Sequence, residues 1–414
     1  MKKITFVALA ALAVLAACTK TEVTPQQSAP QQISFTPLSS KPSTKAMISG
    51  TTYSTTDPTF GSLAYYVPSG TWNTKMSDTD TKLYIPTSEI SYNSTNSVWT
   101  TAKPYYWPKS GSLTFFAYSP YNYQETNSAT AAPITVTAGT DKDGIVISSY
   151  NVDAHQDTAL MVADVTKSKD KTDNGTNGGY TGVPIVFQHK LAQIVGINLE
   201  TVKSNATGVL EVYDYANSHD GTSGKEYQAG DVVFKLKNVS VNKLNTIGKY
   251  TYSSTNTSSP SSLWSDHSAP KDNYFWYDCT SDNSGNPEPF TDNKEFALTF
   301  NNKHTSNANP YLLVLPQPLT ERSSTTSLDK PYLHLEYQVL TYTDDTNYAT
   351  ENVEENVDLY IIHGGASGAA TSGIEIAQNK KITYTIRINL ETRQIYWAPS
   401  VVDWEIESHT YVIK

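Results

Sequence analysis

Ile382-Thr383-Tyr384-Thr385-Ile386-Arg387-Ile388-Asn389-Leu390 alternates large apolar and polar side chains without a break. Successive side chains of an extended chain point to opposite faces, so the stretch reads as a strand with one buried and one wet face. One-sided alternation of this kind marks antiparallel sheet. The same pattern recurs on both sides of it. Val402, Trp404 and Ile406 alternate with Asp403, Glu405 and Glu407. Upstream lie Leu333, Leu335 and Tyr337; Phe296, Leu298 and Phe300; Val232, Phe234 and Leu236; and Val195, Ile197 and Leu199. Gln32-Ile33-Ser34-Phe35-Thr36 alternates as well. Between residues 50 and 120 the apolar content comes as short aromatic runs, Phe60–Val67, Leu83–Ile85, Tyr105-Tyr106-Trp107 and Leu113–Tyr118, separated by Pro, Gly and Asn. Short strands at such spacing predict a sandwich or barrel. No helical period appears after the first seventeen residues, so the expected fold class is all-β.

Those first residues carry a different message. Lys2 and Lys3 precede an apolar run from Ile4 to Ala16, broken only by Thr5. It is shorter than the ~20 residues that span a bilayer and suits the apolar region of a signal peptide. Leu15-Ala16-Ala17-Cys18 resembles the bacterial lipobox, in which the cysteine is acylated and the peptide is cut just before it. Cys18 is therefore the expected lipidation site, with palmitate among the acyl chains and the lipid as the membrane anchor. Residues 19–30 are polar, with two prolines, and read as a tether.

The composition narrows what the body can do. The chain has 414 residues and a net charge of −10, which argues against a nucleic-acid partner. Of its two cysteines only Cys279 lies in the body, so no internal disulfide framework is expected. Its 28 tyrosines suit half-buried pleated surfaces. Residues 167–182 form a polar, glycine-rich loop, and a boundary is placed beside it. The expected organisation is a signal peptide (1–17), a tether with a first strand (18–46), and two domains (47–182 and 183–414).

The residues set up no catalytic centre. The eight histidines show no zinc-ligand spacing. There is no nucleophile elbow and no phosphate loop. Asp141–Gly144 and Asp170–Gly175 lack the full ligand series of a calcium loop and read as turns. His189, beside an apolar run, reads as a structural residue. No cofactor or metal is expected, and no enzymatic activity. Trp99, Tyr105, Tyr106, Trp107 and Tyr121 admit two readings: core packing, which is favoured, or sugar stacking in a surface glycan-binding lipoprotein, the alternative function.

Tyr105-Tyr106-Trp107-Pro108, followed by Gly111, Leu113, Phe115-Phe116-Ala117-Tyr118 and Pro120, resembles a signature of the fimbrillin family of Bacteroidales. Phe60-Gly61 with Tyr65, Val186–Ala192, Leu313–Gln317 and the closing Tyr384–Trp404 fit the same family in the same order. The resemblance implies two transthyretin-like antiparallel β-sandwich domains in a structural or adhesive subunit of a surface fimbria, the type V pilus. It implies export as a lipoprotein to the outer membrane and cell surface. A trypsin-like protease then cuts a loop after the first strand. Lys45-Ala46 is the candidate cut and Lys41 a lesser one, with Lys where the family more often has Arg.

Removing the first strand would open a groove that a strand of another subunit fills. Ile33 and Phe35 are the candidate residents of that groove. Val402, Trp404 and Ile406 are candidates for the incoming strand, and equally for an ordinary terminal strand. Other fimbrillin subunits and host or bacterial surface receptors are the expected partners. Asp157-Thr158-Ala159 resembles an O-glycosylation site of exported proteins, with Thr158 as acceptor, and equally admits a structural role for Asp157.

Overall fold

The computed structural model describes residues 30–39, 53, 59–124, 131–138, 144–156, 159–175, 181–204, 206–207, 210–212, 227–252, 263–278, 288–289, 312–320, 327–359, 362–364, 369–371, 375–389 and 395–403. Nearly all regular structure among them is strand. The one α-helix among the described residues, α1 (Trp72–Lys75), is a single turn, and there are two short 3-10 turns at Asp153–His155 and Val165–Lys167.

The strands run β1 (Phe35–Ser39), β2 (Phe60–Val67), β3 (Lys82–Asn93), β4 (Val98–Thr101) and β5 (Ser112–Ser119). The short β6 (Asn122–Gln124), β7 (Ala131–Pro133) and β8 (Val136–Ala138) precede β9 (Ile145–Asn151), β10 (Met161–Asp164) and β11 (Val183–His189). Next come β12 (Ala192–Ser204), β13 (Leu210–Val212), β14 (Val232–Asn242), β15 (Leu244–Tyr252), β16 (Trp264–Lys271), β17 (Tyr274–Asp278) and β18 (Glu288–Pro289). The last group is β19 (Leu312–Val314), β20 (Gln317–Pro318), β21 (Tyr332–Tyr342), β22 (Tyr348–Asp358), β23 (Ile362–Gly364), β24 (Ala369–Thr371), β25 (Glu375–Ile376), β26 (Lys380–Asn389) and β27 (Ile395–Asp403).

Seven strands close into a barrel in the order β1-β11-β10-β5-β2-β3-β4. Its interior is aromatic: Phe60, Trp99, Phe115 and Phe187 fill it, together with Tyr53. The rings meet mostly edge to face, as Phe60 does with Phe187 at 5.5 Å. Such pairs add about 0.5–1.5 kcal/mol each beyond the area they bury. The outer face of β2, β5 and β10 is buried too. Leu63, Tyr65, Phe116, Tyr118 and Val162 pack there against Ile145, Ile147, Tyr250 and Trp264 of the sheet β16-β15-β9-β8. β5 is thus covered on both sides along its whole length. That explains why Leu113–Tyr118 carries apolar side chains on both faces, interrupted only by Thr114, and does not alternate.

The remaining large sheets form a second core. β13-β12-β26-β27 places Ile382, Tyr384, Ile386 and Ile388 opposite Phe234, Leu236, Leu333, Leu335 and Tyr337 of β17-β14-β21-β22. The alternations in β14, β21 and β26 are therefore those of strands with one face inward. Phe296, Leu298 and Phe300 lie outside the described residues.

The antiparallel grammar is broken at two ladders. β1 pairs parallel with β11, and β12 pairs parallel with β26. Parallel neighbours need a long connection, and both pairs join segments far apart in the chain. Residue 182, beside the polar loop, sits between β10 and β11, which pair with each other in the barrel. β9 and β15 likewise pair across it.

His189, at the end of β11, is 3% exposed. Burial, with the charges of Lys190 and Lys381 nearby, lowers its pKa from the usual 6.5 to about 3. Above pH 6.5 the imidazole is neutral in both folded and unfolded chains and costs nothing. Between pH 6.5 and 3 only the unfolded chain takes up the proton, so stability falls as the pH falls through that window. At 1.36 kcal/mol per pKa unit, the His189 contribution to the loss is on the order of 3 kcal/mol between pH 7 and pH 4. Urea denaturation across that range is expected to show a shallower pH slope in His189→Gln than in the wild type.

Candidate strand-exchange site

The first strand is the closing stave of the barrel. Ile33 and Phe35 are 1% and 3% exposed, and both point into the barrel core. Phe35 meets Phe60 and Phe115 edge to face, at 6.1 and 5.7 Å. β1 runs parallel to β11 from Phe35↔Val183 to Ser39↔Phe187. On its other side the contact with β4 is a single pair, Phe35↔Trp99. Pro37 lies two residues past that lone contact, so its missing N–H has no ladder there to interrupt.

The strand is gripped harder at its entrance than along its length. On one edge the Ile33 N–H donates to the Tyr105 carbonyl at 2.8 Å, and the Trp107 N–H donates to the Gln31 carbonyl at 3.0 Å. On the opposite edge β11 begins only at Val183, whose N–H donates to the Ser34 carbonyl at 2.8 Å. Before that point the side chain of Asn174 takes over. Its Nδ2 donates to the Gln32 carbonyl at 2.6 Å, and its Oδ1 accepts the Ser34 N–H at 3.2 Å. The indole Nε1–H of Trp107 donates to the same Oδ1 at 2.8 Å. Gln32 Nε2 donates to Thr100 Oγ1 at 3.0 Å, and Thr36 Oγ1 donates to the Thr181 carbonyl at 2.6 Å.

Gly182 stands where the wall comes closest. Its φ is +114°, and a Cβ there would lie 3.0 Å from the Ser34 carbonyl oxygen. Glycine is the residue that both the backbone and the gap admit.

The next described residue after β1 is Tyr53, 3% exposed and seated in the same core. Its hydroxyl shares a 2.8 Å hydrogen bond with Ser119 Oγ. β1 ends at Ser39, and Tyr53 sits inside the barrel. Lys45 and Ala46 fall in that interval, outside the described residues. Cys18, Thr158, Trp404 and Ile406 are also outside them, and of Val402 only the backbone, in β27, is described.

The aromatic signature divides between core and surface. Trp99 and Trp107 are buried, the first against Tyr53, Phe60 and Tyr92 and the second against Phe115. Trp107 is engaged through its nitrogen as well, so neither indole is offered to a sugar. Tyr106 is the exposed member, at 41%. In the loop expected to be turns, Asp170 Oδ1 accepts the Trp72 N–H at 2.8 Å and Asp173 Oδ1 accepts the Gly175 N–H at 2.7 Å. Among the described residues no three His, Cys, Asp or Glu side chains gather as metal ligands would.

A family model described as Fimbrillin-like matches residues 67–404, most of the chain. The chain belongs to the fimbrillin-like family. As a fimbrillin-like chain it is a structural adhesion protein of the cell surface, not an enzyme. Its fold is similar to that of a crystallised fimbrial protein from Bacteroides vulgatus, at 17% identity and a TM-score of 0.50, covering 90% of this chain and 99% of the other. A weaker likeness, at 10% identity and a TM-score of 0.35, is to the tip fimbrial protein Mfa3 from Porphyromonas gingivalis, covering 90% of this chain and 100% of that one. No curated protein matches the chain at a significant level.

The sequence pattern singled out Ile33 and Phe35, and the structure brings both into the barrel. It passed over Asn174, Thr100 and Gly182. Asn174 and Gly182 both lie in the polar stretch before the strand Val183–His189, where Asn and Gly are ordinary turn residues.

Proposed function

We propose that the chain is the precursor of a fimbrial subunit that assembles by exchange of its first strand. Export on residues 1–17 and acylation of Cys18 deliver it to the outer membrane. A trypsin-like protease cuts between Lys45 and Ala46. β1 then leaves with the tether, and the barrel stands open between β4 and β11. A strand of another fimbrillin subunit closes it, with Val402, Trp404 and Ile406 as the candidate apolar set. Thr158 is proposed as an O-glycan acceptor on the exported chain, and the assembled fimbria meets host or bacterial surface receptors.

The observation that supports this reading is the way β1 is held. Phe35 of β1 and Ile33 just before it plug the core, yet β1 itself joins the barrel by one five-residue ladder and one single-residue contact, the rest of the grip lying at residues 31–34. An open seat would expose apolar lining and unpaired backbone groups together, and an extended segment with alternating apolar residues satisfies both. Such a segment must come from somewhere, and mass action favours a neighbouring subunit at high local density.

The test uses precursor lacking residues 1–17 and carrying Cys18→Ala. Treatment with a trypsin-like protease is expected to give a new N-terminus at Ala46, followed by SDS-resistant ladders. Lys45→Ala is expected to abolish both. Cutting without ladders, or ladders from the uncut chain, would overturn the reading.

A further inference from the structure

Asn174 is 8% exposed and sits on the parallel edge of β1, before β11 begins. Two groups of an extended chain that point to the same side are the carbonyl of one residue and the N–H of the residue two further on. Gln32 and Ser34 present such a pair, and the Asn174 carboxamide answers both, donor to acceptor and acceptor to donor. This is the bond pattern of a neighbouring strand, made by a side chain. The residue is itself held in place: Trp107 donates to its carboxamide oxygen, and the Gly182 N–H donates to its backbone carbonyl at 3.0 Å. None of these contacts involves the side chains of Gln32 or Ser34.

We propose that Asn174 is the main-chain latch of the strand seat. It holds whichever extended segment occupies the seat by one carbonyl and one N–H, whatever side chains that segment carries at those two positions. Selection of the occupant falls instead to the cavities that receive Ile33 and Phe35. For an incoming strand the inference rests on the strand-exchange reading above; for the resident β1 it stands without it. The consequence is a seat that is specific at alternate residues and permissive between them. A second subunit of different sequence can then use the same latch.

Amide hydrogen exchange on the uncut full chain tests the latch. In Asn174→Ala, exchange over residues 31–36 is expected to accelerate about 10- to 100-fold, the effect of losing the two part-buried hydrogen bonds to Gln32 and Ser34. Exchange over β14 and β21 is expected to stay as in the wild type. Asn174→Asp keeps the acceptor for Ser34 and Trp107 but sets an oxygen against the Gln32 carbonyl. It is expected to accelerate the same segment, and it serves if the alanine variant folds poorly. Ser34→Ala, which changes only a side chain, is expected to stay within about twofold.

Unchanged exchange over residues 31–36 in both Asn174 variants would overturn the latch. So would an acceleration spread evenly over the whole chain, which would make Asn174 a general stability residue, or a Ser34→Ala effect as large as that of Asn174→Ala. Release of the labelled N-terminal piece after a cut at Lys45 is a separate readout. If the cut wild type never releases β1 while the exchange pattern holds, the strand-exchange reading falls and the latch stands.

Discussion

Replacement of Phe35 by alanine is expected to cost the full chain about 3–5 kcal/mol, the range for removing a large buried aromatic side chain. The ring is 3% exposed and makes edge-to-face contacts with Phe60 and Phe115. The cavity it leaves opens into a core where Phe60 also packs against Tyr53, Trp99 and Phe187, so little collapse is available. The alternative open to the molecule is to release β1. Its free energy of seating then sets a ceiling on the loss seen globally, and the remainder appears as local opening. The two responses are separable. Urea denaturation reads the global loss, and limited proteolysis reads the opening as faster cutting near Lys45. Thr36→Ala, on the outward face of the same strand, loses one exposed hydroxyl bond to Thr181 and is expected to cost about 1 kcal/mol or less. Equal effects from the two substitutions would mean that Phe35 is not the anchor of the strand.

Gly61→Ala is the other large effect. Gly61 lies opposite Tyr118 in the β2–β5 ladder, and a Cβ built on it would fall 2.3 Å from two carbons of the tyrosine ring. The ring lies across the glycine. Tyr118 is 1% exposed and backed by Tyr121 at 6.4 Å, so it cannot swing into solvent without leaving the core. Overpacking of this kind costs about 2–3 kcal/mol, and β5, covered on both faces, cannot shift to relieve it. Because the clash belongs to one pair, the two positions must couple. In a Tyr118→Leu background the same Gly61→Ala change is expected to cost less than about 1 kcal/mol. Thermal or urea denaturation of the four proteins closes the cycle, and additive losses would place the strain elsewhere.

Both residues were visible as letters before they were visible as partners. Phe35 stood out because an alternation names its own buried face. The aromatic signature Leu113–Tyr118 stood out because apolar residues, interrupted only by Thr114, fall on both faces of a strand covered on both sides. Gly61 was legible as part of a family pattern, but its reason, a ring resting on the backbone, belongs to a neighbour more than fifty positions away. Asn174 was not legible at all. It lies in a stretch read as a polar loop, and an asparagine in a loop satisfies local turn geometry so often that its type carries no information about a distant strand. Nor did the change in composition near residue 182 reveal that β10 and β11 pair across it. Polar content reports where a chain meets water, and a long loop between two paired strands meets water as fully as a linker does.

The amino-acid sequence by itself determined that this protein is built of strands, which faces of most of them are buried, and that Ile33 and Phe35 belong inside. Those properties follow from the period of two along an extended backbone, which each segment carries within itself. Only the tertiary structure decided which strands lie side by side: β1 parallel to β11, one contact to β4, and the side chain of Asn174 standing in where β11 has not yet begun. Pairing joins groups that every backbone possesses alike, so no residue type announces its partner. The choice is made by the packing of all the strands at once.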